Sequence, residues 1–295
     1  MKLLDGKIIR DEILEKLKEN TQSFIKKGNR APSLAVILVG DDPASLSYVN
    51  SKHKMCEALS FVHFDYKLCE DIAEEELLAL IDRLNCDESV DAILVQLPLP
   101  SHINESNVIN RISKKKDVDG FTENNLGRLV QGLDCFIPCT AKGILDMLDY
   151  YDIPTRGKSI TVIGRSNIVG KPLAILLMNK GRDATVTVCN SHTENLKRFT
   201  KDADIIVVAA GKADLLNSSM TKDDAVIIDV GINRIKDESR KKGYRIQGDV
   251  DEKSFESTSC LVSPVPGGVG LMTVISLMEN TFKAAVIRSK SEIHN

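Results

Sequence analysis

Two stretches hold residues whose types and spacing could do chemistry. The first is Pro43 to Leu59, PASLSYVNSKHKMCEAL. On a helix, Ser47, Asn50, Ser51, Lys54 and Glu57 gather on one side, and Tyr48, Val49, Met55, Cys56 and Leu59 on the other. Lys52 falls inside the apolar stripe, one turn from Tyr48 and one turn from Cys56. A lysine there either snorkels past the stripe's edge or is half-buried with a lowered pKa, because desolvation disfavours its charged form. The second kind can take or relay a proton near neutral pH. The other stretch is Ser159 to Pro172, SITVIGRSNIVGKP. A β-branched run, Ile160 to Ile163, stops at Gly164. A polar turn follows (Gly164-Arg165-Ser166-Asn167), and Gly170-Lys171-Pro172 leads into an apolar helical pattern. Strand, glycine turn and helix start aim free N–H groups and the positive end of a helix dipole at one point, which suits phosphate.

These stretches need elements to position them. Apolar residues at Ile9, Ile13, Leu14, Leu17 and Phe24 predict a helix over 8–27. Leu34 to Val39 reads as a strand buried on both faces. Asp42 and Pro43 then open the lysine helix as N-cap and first helical residue. A strand near 62–68, a helix near 74–84 and a buried strand 91–97 follow, the last stopped by Pro98-Leu99-Pro100. Gln96 stands at that strand's carboxyl end, where open α/β sheets gather ligands. It is either a solvated strand-end residue or an amide that orients a lysine without adding charge. Lys114-Lys115-Lys116 reads as a solvated edge, and Asp119 before Gly120, taken alone, as a turn aspartate. A helix follows Pro138, ending near Tyr151.

From 159 onward strands at 160–163, 184–188, 204–210 and 225–230 alternate with helical segments at 170–180 and near 193–199. That alternation means a parallel sheet with crossover connections. Gly211, Gly231 and Gly248 sit at or beyond strand ends, where a backbone could approach a ligand. The last helix, near 272–288, is apolar along its length and is expected to pack on the first domain. The fold expected is therefore α/β with two domains, the second a Rossmann-like parallel sheet with helices on both faces. The boundaries read are 1–140, completed by 272–295, and 141–271.

Composition narrows the function. The chain has 295 residues, 42% apolar and 27% charged, ordinary for a globular protein. A net charge of −3 with both signs interspersed argues against a nucleic-acid partner. No run approaches the roughly 18 apolar residues of a membrane span. Seven cysteines without a CxxC pair read as reduced thiols, hence a cytoplasmic protein. No metal site is read from the sequence.

The turn at 164–170 is one residue longer than GxGxxG, so its weight comes from the strand before it and the helix after it. The next strand ends Val188-Cys189-Asn190-Ser191-His192, without the carboxylate that grips the ribose of NAD. Arg165 and Ser191 instead suit a 2′-phosphate, hence NADP. His192 reads as an exposed loop residue.

Taken in order, YVNSKHKMC, VQLPLP, KDVDGF, PCTAKGI, GRSNIVGKP, DVGINR, GDVD and PVPGGVG span almost the whole chain. The sequence closely resembles the bifunctional methylenetetrahydrofolate dehydrogenase/methenyltetrahydrofolate cyclohydrolases. The resemblance implies a homodimer, folate in a cleft between domains, and NADP on the second. It also implies roles by position. Tyr48 and Lys52 match the active-site pair, Gln96 the residue contacting that lysine, and Asp119 the carboxylate on the pteridine. Gly164, Arg165, Ser166, Gly170, Ser191 and Ile232 match the NADP side, and Pro266, Gly267 and Gly268 a folate-side loop. Thr122-Glu123, Ala141, Asn190 and Leu271 depart from the usual pattern. A monofunctional member, or a binding protein without turnover, is the competing expectation.

Overall fold

The computed structural model describes residues 1–240 and 243–292. The chain opens with β1 (Lys2–Leu3) and α1 (Gly6–Lys26). There follow β2 (Ser33–Val39), α2 (Pro43–Ala58), β3 (Val62–Leu68), α3 (Glu74–Cys86), β4 (Ala92–Val95), α4 (Glu105–Arg111), α5 (Glu123–Val130) and α6 (Cys139–Tyr150). Next come β5 (Ser159–Ile163), α7 (Gly170–Met178), β6 (Thr185–Cys189), α8 (Lys197–Thr200), β7 (Ile205–Val208), β8 (Val226–Asp229), β9 (Asn233–Lys236), β10 (Tyr244–Gln247), β11 (Leu261–Val262) and α9 (Val269–Glu292). Contacts divide the chain into two compact units. One holds Glu12–Cys139 and the chain from Val274 on; the other holds Met1–Asp11 and Thr140–Thr273.

The unit built on Glu12–Cys139 has a parallel sheet in the order β3-β2-β4. Every residue of β2 is buried, as a continuous apolar run demands. Its Ala35, Ile37 and Val39 join Leu77, Leu80, Ile81 and Leu84 of α3 in one core cluster. Each such leucine or isoleucine contributes about 1.5–3 kcal/mol on burial. Asp42 caps α2, its carboxylate accepting from Ser45 N at 2.7 Å, and Pro43 takes the first turn. Lys116 departs from the solvated edge expected of it. Its Nζ donates to Leu84 O (2.8 Å) and Asp87 O (2.7 Å), satisfying the carboxyl end of α3, while Lys114 and Lys115 are exposed. The periodicity gave no sign of the short helices α4 and α5.

Helix α9 is the one described helix long and apolar enough to cross a membrane, over the 22 residues Val269–Lys290, which hold an 18-residue stretch of mean hydropathy 1.2. It is a core helix, with Ile275, Leu277, Met278, Ala284 and Ala285 all buried. Residues 293–295 of the expected carboxyl-terminal segment lie outside the described residues.

The unit built on Thr140–Thr273 carries a six-stranded parallel sheet in the order β1-β11-β8-β7-β5-β6. β5 pairs with β6 on one side and β7 on the other, so the strand order reverses around it. That is where doubly wound sheets bind ligands, beyond the strands' carboxyl ends. Residues 1–11 cluster here, although the sequence pattern groups them with 12–140, because β1 pairs with β11 (Lys2 opposite Leu261). The helix expected over 193–199 is only the single turn of α8, and the antiparallel hairpin β9–β10 stands outside the main sheet.

Candidate active site

Gln96 begins where β4 ends. Its backbone N donates to Ile37 O at 2.9 Å, which holds it to the sheet. Its Nε2 donates to Leu97 O at 2.7 Å. With the amide fixed in this way, Oε1 accepts from Lys52 Nζ at 2.7 Å. Lys52 is 9% exposed, with Val49 and Cys56 buried on the same helix, so it is the buried lysine and not the snorkelling one. Burial lowers its pKa, and the Asp119 carboxylate offsets this in part. Tyr48 is half-buried one turn earlier on α2.

The turn aspartate of KDVDGF is Asp117, not Asp119. The Asp117 carboxylate accepts from Phe121 N (3.2 Å), Thr122 N (2.9 Å) and Asn125 Nδ2 (2.7 Å). Gly120 has φ +71°, and a Cβ there would collide with Phe136 O. The departure Thr122-Glu123 serves this turn, since Thr122 Oγ1 caps α5 by accepting from Asn125 N at 3.3 Å. Asp119 is thereby left to other partners. Burial pushes its carboxyl up to about 6, against the pull of the Lys52 charge. Cys139 Sγ donates to Asp119 Oδ1 at 3.6 Å and to Val118 O at 3.4 Å. Asn280 Nδ2 braces the segment through Val118 O (2.7 Å) and Ile137 O (3.0 Å). Sequence reasoning missed Cys139 and Asn280. The available signal was an asparagine in the middle of an apolar helix.

In the other unit the turns after β5 and β6 lie side by side. Ile163 pairs with Cys189, and Gly164 N donates to Cys189 O at 2.9 Å. Gly164 has φ +129°, and a Cβ on it would strike Ala209 O. A Cβ on Gly170 would strike Gly164 O, so the turn closes tightly onto the start of α7. Ser166 Oγ accepts from Val169 N at 3.2 Å. Arg165, Ser166 and Ser191 are exposed. Asn190 shapes the second turn: its Oδ1 accepts from His192 N (3.0 Å), and its N donates to Thr193 Oγ1 (2.9 Å). His192 is exposed, as expected.

Ile232, 46% exposed, follows a buried carboxylate network. Asp229 accepts from Gly231 N (2.8 Å), Asp249 N (2.9 Å) and Val250 N (3.0 Å). Asp249 accepts from Ala210 N (2.7 Å), Gly211 N (2.8 Å) and Asn233 Nδ2 (2.8 Å). Burial pushes Asp229 up to about 6. A Cβ on Gly231 would collide with Asp249, and one on Gly248 with Asp229. These two glycines make room for the carboxylates. The loop of Pro266, Gly267 and Gly268 packs on the chain start, with Gly6 N donating to Gly267 O at 3.0 Å. Pro266 is exposed, Gly267 half-buried and Gly268 buried.

Lys52, Gln96 and Asp119 thus come together in one unit, with Tyr48 one turn away on α2; in the other, the turn residues, Ile232 and the Pro266 loop follow the carboxyl ends of β5, β6, β8 and β11. Residues 4–119 match the family model for the tetrahydrofolate dehydrogenase/cyclohydrolase catalytic domain. Residues 138–289 match the model for the NAD(P)-binding domain of the same family. A relative from Campylobacter hominis, the bifunctional protein FolD, is 50% identical over 98% of this chain and 99% of its own. The crystal structure of the bifunctional enzyme FolD from Campylobacter jejuni superposes with a TM-score of 0.92 at 48% identity, over 98% of this chain and 99% of that one. The Trypanosoma brucei methylenetetrahydrofolate dehydrogenase-cyclohydrolase, solved with NADP cofactor and an inhibitor, gives a TM-score of 0.92 at 34% identity, over 99% and 98%.

Proposed function

The chain belongs to the tetrahydrofolate dehydrogenase/cyclohydrolase family, and on that premise we propose how its residues divide the work. It is a bifunctional enzyme. It oxidises 5,10-methylenetetrahydrofolate to 5,10-methenyltetrahydrofolate with NADP, then hydrolyses the product to 10-formyltetrahydrofolate.

The donor set suits NADP. Arg165 supplies a cation and Ser191 a hydroxyl, and no carboxylate stands among the first four residues after β6, Asn190 to Thr193, to repel a 2′-phosphate. The turn that Gly164 and Gly170 close presents the exposed residues Arg165, Ser166 and Asn167, whose backbone N–H groups suit a pyrophosphate. Ile232 offers an exposed apolar surface. NADP, when bound, accepts the hydride from the one-carbon bridge. The chain's own residues do the rest. Asp119 holds the pteridine by its carboxylate, and the Pro266–Gly268 loop lies on the folate side.

Hydrolysis begins with water adding to the cationic methenyl carbon, and a proton must leave that water. Lys52, buried and lowered in pKa, takes it as a neutral amine and delivers it to the departing ring nitrogen as the ring opens, while the hydroxyl proton of the adduct passes to solvent, so one proton is released per turnover. Tyr48 and Gln96 orient the amine. Gln96 is neutral, so it does not lock Lys52 in its charged state. The observation that carries this reading is the 2.7 Å contact between Lys52 and Gln96 on a buried face.

A coupled assay tests it. The enzyme is given methylenetetrahydrofolate with NADP or NAD, and reduced cofactor is followed, then the decay of the methenyl product. Reduction with NADP followed by decay is expected; no reduced cofactor with either nucleotide removes the dehydrogenase. The same reading makes the protein a cytoplasmic homodimer that supplies formyl groups, as purine synthesis requires. Support for the dimer comes from β6, an edge strand with unpaired backbone groups and Val188 41% exposed. Light scattering at twice the 32.5 kDa chain mass checks it.

A further inference from the structure

His53, His63 and Asp65 lie apart from the chemistry described above. His53 follows Lys52 on α2 but points off the apolar stripe; His63 and Asp65 are two apart on β3, and so share one face of that strand. His53 Nε2 lies 2.5 Å from Asp65 Oδ1, and His63 Nε2 lies 3.7 Å from Asp65 Oδ2. The two imidazole rings stack, with centroids 4.8 Å apart and planes 23° from parallel. The three ligand atoms all fall within 4.8 Å of one another. Their side chains are 23%, 30% and 40% exposed, so an ion can reach them from solvent.

We propose that His53, His63 and Asp65 form a binding site for one divalent transition-metal ion of the zinc class, which ties α2 to the edge strand β3. Two imidazoles and a carboxylate are the donor set such ions prefer, whereas magnesium and calcium take oxygen ligands. Tetrahedral bonds of about 2.0–2.1 Å put ligand atoms roughly 3.4 Å apart, so the widest separation in the triad must shrink by about 1.4 Å while the His53–Asp65 contact opens by about 0.9 Å. Side-chain rotation supplies this: the stacked rings turn so that both Nε2 lone pairs point at the ion. An ion pair alone needs one cation beside Asp65, and here two imidazoles converge on it. Water fills the remaining position, because the site faces solvent. Helix α2 also carries Tyr48 and Lys52, so an ion at this site pins the element that holds them to its neighbouring strand.

The test uses untagged, full-length protein stripped with a chelator and titrated with cobalt(II), then with zinc. The expected result is one cobalt per chain with visible d–d absorption, displaced by zinc. His63→Gln lowers the affinity about tenfold or more, and His53→Gln does the same. Excess zinc raises the thermal midpoint of the parent protein by about 5 °C at 100-fold saturation, and that of His63→Gln by much less. Retained dehydrogenase turnover in metal-free His63→Gln shows that the variant is folded. Three results overturn the proposal: no d–d absorption up to millimolar cobalt, equal affinity in the parent and His63→Gln, or sulfur-to-cobalt charge-transfer absorption, which places the ion on a cysteine.

Discussion

Lys52 Nζ donates to Gln96 Oε1 across 2.7 Å, and the acceptor is a neutral amide on a residue pinned to the sheet. A carboxylate in its place would hold the lysine as a cation. The chemistry proposed for Lys52 needs the neutral amine, so the choice of glutamine is itself a prediction. In Gln96→Glu the added charge raises the Lys52 pKa. The cyclohydrolase rate therefore falls by about tenfold or more at pH 7, and its rising limb moves to higher pH. A pH–rate profile for methenyl decay checks this; a profile that stays in place contradicts it.

Asp119 carries its own pH signature. Its carboxyl sits at about 6 because burial outweighs the Lys52 charge. Folate binding through the carboxylate should weaken as pH falls through about 6, seen as a rising KM. Asp119→Asn raises KM by about 10- to 100-fold at pH 7.5, the value of a charged hydrogen bond, and flattens its dependence on pH over this range. Initial rates between pH 5 and 8 decide the matter.

In the proposed division of work, Arg165 selects the cofactor. Arg165→Ala removes a charge-assisted contact to a 2′-phosphate, so kcat/KM for NADP drops about 10- to 100-fold. The value for NAD changes little. Parallel assays with the two nucleotides read this directly; an equal loss with both would assign Arg165 to the shared pyrophosphate instead.

The buried Asp229 supports the turn that carries Ile232. Its folded carboxyl lies at about 6, above the ordinary value near 3.9. With the folded value the higher of the two, its contribution to stability is present below about pH 4 and is lost as pH rises through about 6, a change of about 3 kcal/mol. Asp229→Ala leaves the N–H groups of Gly231, Asp249 and Val250 unpaired, and should destabilise this unit by about 3 kcal/mol or more. Amide exchange at Gly231 and Val250 measures it, and unchanged protection would show that water replaces the carboxylate.

Much of this site was legible from residue types. Lys52 stood out because a lysine inside an apolar stripe breaks the helix pattern. Gln96 stood out because the buried strand ends there. The NADP preference came from the end of β6, where Asn190 and Ser191 stand and a carboxylate is missing. The two aspartates of KDVDGF could not be told apart, because only the fold decides which carboxylate meets the turn's N–H groups. The sequence pattern does not show what Gly231 and Gly248 make room for, for a similar reason. The carboxylates they accommodate come from 18 residues away for Gly231 and 19 for Gly248, and no local pattern reports such a pairing. Helices α4 and α5 are 7 and 8 residues long, too short for a helical period to show. β1 has two residues and is a strand only because β11 is beside it.

The role of Lys52 in proton transfer is tested most directly by the decay of methenyltetrahydrofolate catalysed by Lys52→Met. Methionine fills the buried position without a proton to exchange, and NADP affinity reports that the protein is folded. Decay is expected to slow by at least about 100-fold, the usual contribution of a proton-transfer group, while NADP affinity is kept. Undiminished cyclohydrolase activity in the folded variant would contradict it.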